Sequence, residues 1–137
     1  MENTYPYLEQ PDGTYLLPER YAPTYIPSDY ALEEHHCDGD EYYLYRKDDG
    51  FLFWSGSYIT FNQRYPTSTI VFDLEDVALE EIEVEGLGKC LYYVVKRDEN
   101  RGGLMWLQGP YRFHISVSNL PKEELIKIAQ STKLQQN

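Results

Sequence analysis

From Tyr111 to Val117, apolar and polar side chains alternate without a break: Tyr111, Phe113, Ile115 and Val117 against Arg112, His114 and Ser116. A period of two is that of a strand with one buried face, and no helix can gather such residues on one side. Gly109-Pro110 separates this strand from Leu104 to Leu107, which suits a hairpin. Ser118-Asn119-Leu120-Pro121 then opens a helix. Proline is tolerated in a first turn, and Glu123 and Glu124 sit where the helix dipole favours negative charge. Lys127 and Lys133 fall toward the other end, and Leu125, Ile126, Ile128 and Ala129 form one apolar stripe. A helix this short is marginal alone, so its stripe must lie on the sheet built by the preceding strands.

The same patterns recur upstream. Tyr30 to His36 and Glu41 to Lys47 read as strands joined by a turn at Asp38-Gly39-Asp40, and Asp48-Asp49-Gly50 marks a hairpin. Phe51 to Gln63 reads as one long strand, bent where Ser55-Gly56-Ser57 offers little bulk. Ile70 to Phe72 is short and apolar. In Val77 to Glu85, Ile82 and Val84 face one way, while Glu81, Glu83 and Glu85 form a solvated row on the other. Gly86-Leu87-Gly88 turns the chain into Cys90 to Arg97. Both faces of that segment are apolar, as expected of a central strand covered on two sides. Asp98 to Gly103 reads as a polar hairpin tip.

The first thirty residues contain Pro6, Pro11, Pro18, Pro23 and Pro27, a spacing that no helix survives. Tyrosines punctuate the segment, unlike a flexible Ser/Gly linker. It is therefore read as an extended Pro/Tyr-rich arm, residues 1–28, packed on a single α+β domain of residues 29–137. Thr14 to Leu17 supplies one short strand, and Tyr25 and Ile26 are expected to be its most buried part. Hairpin-ordered strands followed by one helix give the fold class: α+β, a curved, mainly antiparallel β-sheet with one C-terminal α-helix packed on one face.

The formal net charge is −11. Such a field repels phosphate backbones, so nucleic acid is excluded as a general partner. The charge is uneven: residues 1–50 carry three basic and twelve acidic side chains, residues 101–137 five basic and two acidic. The resulting dipole could orient a partner. No apolar run approaches the ~20 residues of a membrane span, and Met1 leads into polar, Pro-rich sequence without a signal-peptide pattern.

Few residues suggest chemistry. His35-His36-Cys37-Asp38 offers metal-ligand types. On a strand, however, His35 and Cys37 share one face while His36 takes the other, and the one remaining histidine, His114, lies on a distant strand. A third ligand is missing, so the segment reads as a solvated strand end and no metal or cofactor is expected. Asp38-Gly39-Asp40-Glu41 lacks the later glutamate of an EF-hand loop and reads as a turn. Cys37 and Cys90 are too few for a disulfide scaffold and are taken as two separate thiols, Cys90 buried and Cys37 partly exposed. No nucleophile sits in a recognisable setting, and Gly86-Leu87-Gly88 is not a phosphate loop, so the chain reads as a non-enzyme. Fourteen of its 21 aromatic residues are tyrosine or, put differently, suited to half-buried faces. Trp54, Tyr58, Trp106 and Tyr111 are the candidate ligand-binding residues, as the lining of a concave sheet face.

The closing stretch also carries a resemblance. Trp106, Gly109, Tyr111, Phe113 and Ile115, then Leu120, Glu123, Glu124, Leu125, Ile126, Lys127, Ile128, Ala129 and Ser131, resemble the end of an uncharacterised domain family of Gram-positive bacteria. Ile26 to Leu32 resembles that family's opening motif, and Tyr58 to Gln63 its central strand. The likeness spans residues 22 to 132, and departs where Pro121 replaces the usual Ser or Thr before the helix. The family is often the extracytoplasmic C-terminal part of membrane-anchored, anti-sigma-factor-like proteins and has no established activity. The resemblance implies an extracytoplasmic, non-enzymatic binding or sensing module of a membrane-anchored regulatory protein, with a protein or cell-wall partner and an anchor outside this sequence. By fold analogy with half-barrel lipid carriers, the alternative is a carrier or sensor of an apolar ligand.

Overall fold

The computed structural model describes residues 6–49, 56–66 and 75–135. Three short strands come first: β1 (Leu8–Glu9), β2 (Tyr15–Leu16) and β3 (Tyr21–Pro23). The main strands follow as β4 (Tyr30–His36), β5 (Asp40–Lys47), β6 (Tyr58–Arg64), β7 (Val77–Val84), β8 (Gly88–Val95), β9 (Asp98–Gln108) and β10 (Tyr111–Ser118). The chain closes with α1 (Lys122–Gln130) and β11 (Thr132–Leu134). β4 to β10 form one antiparallel seven-stranded sheet in the order β4-β5-β6-β10-β9-β8-β7. Two small ladders, β1-β2 and β11-β3, belong to the arm and the chain end. The α+β class, with a single helix on an antiparallel sheet, is as the sequence predicts.

The alternation in β10 sets the layers. Phe113 and Ile115 pair with Gln63 and Phe61 of β6 on one side and with Trp106 and Leu104 of β9 on the other. All lie on one face, which also receives Leu125, Ile128 and Ala129 of α1 and Leu17 of the arm, every one buried. The helix has no side-chain cap at Pro121, and Ser131 ends it by accepting no further turn: its hydroxyl donates to the Ile128 carbonyl. Lys133, expected near the helix end, instead lies in β11. There the strand pairs with β3 and draws the arm beside the helix.

Gln63 ties the arm down. Fully buried, it accepts from the Tyr21 backbone N–H at 2.8 Å and donates to the Glu19 carbonyl at 2.8 Å. Tyr25 donates its hydroxyl to Glu124 of α1 at 2.8 Å, and Ser131 holds the Thr24 and Tyr25 backbone. The most buried arm residues are Leu17 and Ala22, not Tyr25 and Ile26, which stay half-buried. Leu17 joins the core under the sheet, whereas Tyr25 lies against the helix flank, its hydroxyl on Glu124 and its ring beneath Lys127.

Two further expectations are corrected. Asp98 to Gly103 is not a hairpin tip but the first half of β9; the turn is shorter, because Val95 already pairs with Asp98. Gly102 and Gly103 sit there because neighbours crowd them. A Cβ on Gly103 would lie 2.5 Å from both the Ile115 carbonyl oxygen and the Tyr93 hydroxyl. Nor is β8 central. It is next to the edge strand β7, and β10 holds the middle because β6 and β10 pair across a long stretch of sequence. Of the long strand expected over Phe51 to Gln63, the described part is β6 from Tyr58, with Gly56 and Ser57 just before it outside the regular strand. Phe51 to Ser55, Gly50 and Ile70 to Phe72 lie outside the described residues.

Candidate functional site

Where β6 stops, the β7–β8 and β9–β10 turns come together at one end of the sheet. A cleft of about 610 Å³ opens there. Its apolar lining comes from Leu91 of β8 and Met105 and Leu107 of β9, with Leu87 and Pro66 from the adjoining turns. Leu91 and Met105 are cross-strand partners, and Leu107 pairs with Arg112. Alternation turns these side chains away from the helix-covered face. Leu107, at the lip and one residue from the end of β9, is 65% exposed.

The rim is charged. Lys89 and Glu81 form an exposed ion pair at 3.8 Å, of little energetic weight. Arg112 lies opposite them, its pKa lowered by burial and by Arg64, its cross-strand neighbour. Cys90 and Trp106 also border the cleft. Burial, with Glu83 adding to it, pushes the Cys90 thiol up to about 11. It stays protonated at neutral pH and is no nucleophile. Behind the cleft, Tyr93 and His114 share a hydrogen bond of 2.7 Å. Burial, then Arg112, drives His114 down to about 4, and burial raises Tyr93 to about 12. Both are neutral at pH 7. The arrangement can hold an apolar group under a mixed-charge rim.

The four aromatic candidates do not form one face. Trp106 and Tyr111 are 3% and 2% exposed, packed on the helix side, with Trp106 stacked on Phe113 at 5.2 Å and Tyr111 on Tyr65 at 5.2 Å. Tyr58 points to the opposite face and is half-buried, with Arg101 5.8 Å from its ring centre. Trp54 lies outside the described residues. Of the three described, Trp106 alone borders the cleft. Sequence reasoning passed over Leu91, Met105 and Leu107. The available signal was the doubly apolar Cys90–Arg97 segment, whose second face had to be covered by something or open to it.

Cys37 and Cys90 are separate thiols, Cys90 buried and Cys37 partly exposed. Glu81, Glu83 and Glu85 are exposed on the edge strand and its turn, as expected, and Val84 is buried beneath them. His35 and Cys37 do share a face, and Glu41 of β5 joins them there. Among the described residues, no helix is long and apolar enough to cross a membrane.

No curated protein and no solved structure matches the chain. One family model does, over residues 20–131: the arm from Arg20, the whole seven-stranded sheet and the helix. The chain therefore belongs to the family described as Domain of unknown function (DUF4367).

Proposed function

We propose that the domain is a non-enzymatic binding or sensing module, the extracytoplasmic part of a membrane-anchored, anti-sigma-factor-like regulatory protein of Gram-positive bacteria. Its cleft receives apolar side chains of a partner protein. The observation that carries this reading is the cleft itself: an apolar floor of Leu91 and Met105, a rim bearing Glu81, Lys89 and Arg112, and Leu107 standing in solvent at the lip. A rim with both charge signs fixes orientation, while the desolvated centre supplies affinity. Both sheet edges disfavour the other simple mode, strand addition. The outer strand β7 carries Glu80, Glu81 and Glu83, and β4 carries Glu33, Glu34, His35 and His36 with a bulge between Leu32 and Glu34.

The volume favours a second reading. About 610 Å³ falls among small-ligand sites, so an apolar, lipid-like molecule would also fit. Such sites usually enclose most of their ligand, whereas Leu107 stands open here. Native mass spectrometry of the purified protein separates the two. The partner reading expects the bare chain mass; a retained lipid-sized adduct would replace it with the carrier reading.

A further inference from the structure

We infer that His35, Cys37 and Glu41 form a binding site for a divalent transition-metal ion of the zinc class. The β4–β5 hairpin builds it. His35 pairs with Tyr43 and His36 with Tyr42, so one further step of the register sets Cys37 opposite Glu41. Odd-numbered residues share a face at this end of the hairpin, and directly opposed side chains have Cβ atoms roughly 4.5–5.5 Å apart. The turn Asp38-Gly39, with Gly39 at φ 80°, closes the loop tightly enough to bring both arms together. As a result one ligand atom from each of His35, Cys37 and Glu41 lies within 4.8 Å of the others. His35 Nε2 and a Glu41 carboxylate oxygen are already 3.3 Å apart. That is about the ligand–ligand spacing of a tetrahedral zinc site with metal–ligand bonds of ~2.0–2.3 Å.

The carboxylate is the independent sign. Glu41 is 1% exposed, and its second oxygen is buried with no hydrogen-bond partner. A buried acidic oxygen left unpaired is costly, and such atoms call for an explanation by strain, water or an ion. A cation held between Glu41 and Cys37 supplies that missing interaction. The surroundings position the ligands as outer partners do in metal sites. The His35 ring stacks on Tyr43 at 4.1 Å, and the Tyr43 hydroxyl donates to Glu41 at 3.5 Å. Arg20 lies beside Cys37 and Glu41, and Asp38 is close by. Imidazole, thiolate and carboxylate together suit zinc, and three protein ligands leave a fourth position for water or a group brought by a partner. The arm sits directly over the site. Gly39 donates its N–H to the Tyr15 carbonyl at 2.7 Å, and Tyr15 donates to Asp38 at 3.0 Å.

Cobalt(II) titration of chelator-treated protein tests the site, because a thiolate ligand gives a near-ultraviolet charge-transfer band and a four-coordinate ion gives intense visible bands. One equivalent of cobalt should bind and be displaced by zinc. Cys37→Ser should abolish the charge-transfer band. His35→Gln and Glu41→Gln should each weaken zinc by at least the ~10–100-fold seen for outer-shell changes alone. His36→Gln, on the other face of the same strand, should leave affinity unchanged. Circular dichroism of each variant in chelator records whether it folds; should Glu41→Gln not fold, Cys37→Ser and His35→Gln decide. No cobalt uptake, uptake without a thiolate band, or equal losses in His35→Gln and His36→Gln would overturn the assignment.

Discussion

The hydroxyl of Tyr93 lies 2.7 Å from Nε2 of His114, two strands away across the Gly103 position of β9. The contact exists because Gly103 has no side chain: the Tyr93 ring passes over it to reach the imidazole. A polar pair is thereby closed off within the sheet face behind the cleft.

That closure makes stability depend on pH. Native His114 stays neutral until about 4, whereas an unfolded histidine takes a proton near pH ~6.5. Between those values the unfolded state binds more protons. The contribution of His114 is therefore fully present above pH ~6.5 and is lost as pH falls toward 4, by up to about 3 kcal/mol. Urea unfolding of the wild type and His114→Gln at pH 7.5 and pH ~4 should show the gap between the two proteins shift in that direction. A pH-independent gap would mean that His114 titrates normally.

Gly103→Ala should be among the more damaging small substitutions. Its Cβ would meet the Ile115 backbone oxygen at 2.5 Å as well as the tyrosine, and backbone in a central ladder cannot step aside. A loss of about 1–3 kcal/mol or more is expected, with a displaced Tyr93. Thermal unfolding measures it, and Gly109→Ala, in a turn with open space around it, calibrates the cost of backbone strain alone.

Gln63 anchors the arm from a buried position. Replacing it by leucine keeps the volume but strands the Tyr21 N–H and the Glu19 carbonyl. Each group left unpaired costs about 1–3 kcal/mol, and the arm should loosen before the sheet does. Limited proteolysis should then cut between Pro6 and Arg20 in Gln63→Leu while the sheet and helix survive. Uniform unfolding in place of arm release would show that the arm and sheet form one cooperative unit.

Much of this architecture is legible in the sequence, and the limits have physical causes. Strict alternation in β10 and the Gly-centred turns locate strands well, because both are local rules. Which face is covered is not local. Trp106 and Tyr111 looked equally suited to a ligand face; the arm and α1, arriving from opposite ends of the chain, decide that theirs is the core. Asp98 to Gly103 looked like a turn, because polar and glycine residues signal flexibility unless a neighbour such as Tyr93 needs the space. Glu41 looked like part of a turn, because its burial depends on pairing with Gln63 in β6. The cleft residues Leu91, Met105 and Leu107 alternate correctly in the sequence, but nothing local tells an open apolar face from a filled one.

A partner that binds this domain through the cleft must come within reach of a probe placed at its lip. A photo-cross-linking amino acid at Leu107, exposed and bordering the apolar floor, should yield one discrete protein adduct when activated in the producing cell. Adding Leu91→Asp, which puts a charge on that floor, should abolish the adduct while leaving the sheet folded by circular dichroism. The same adduct persisting with Leu91→Asp, or appearing only from a probe at exposed Leu32 on the far edge strand, would contradict the account.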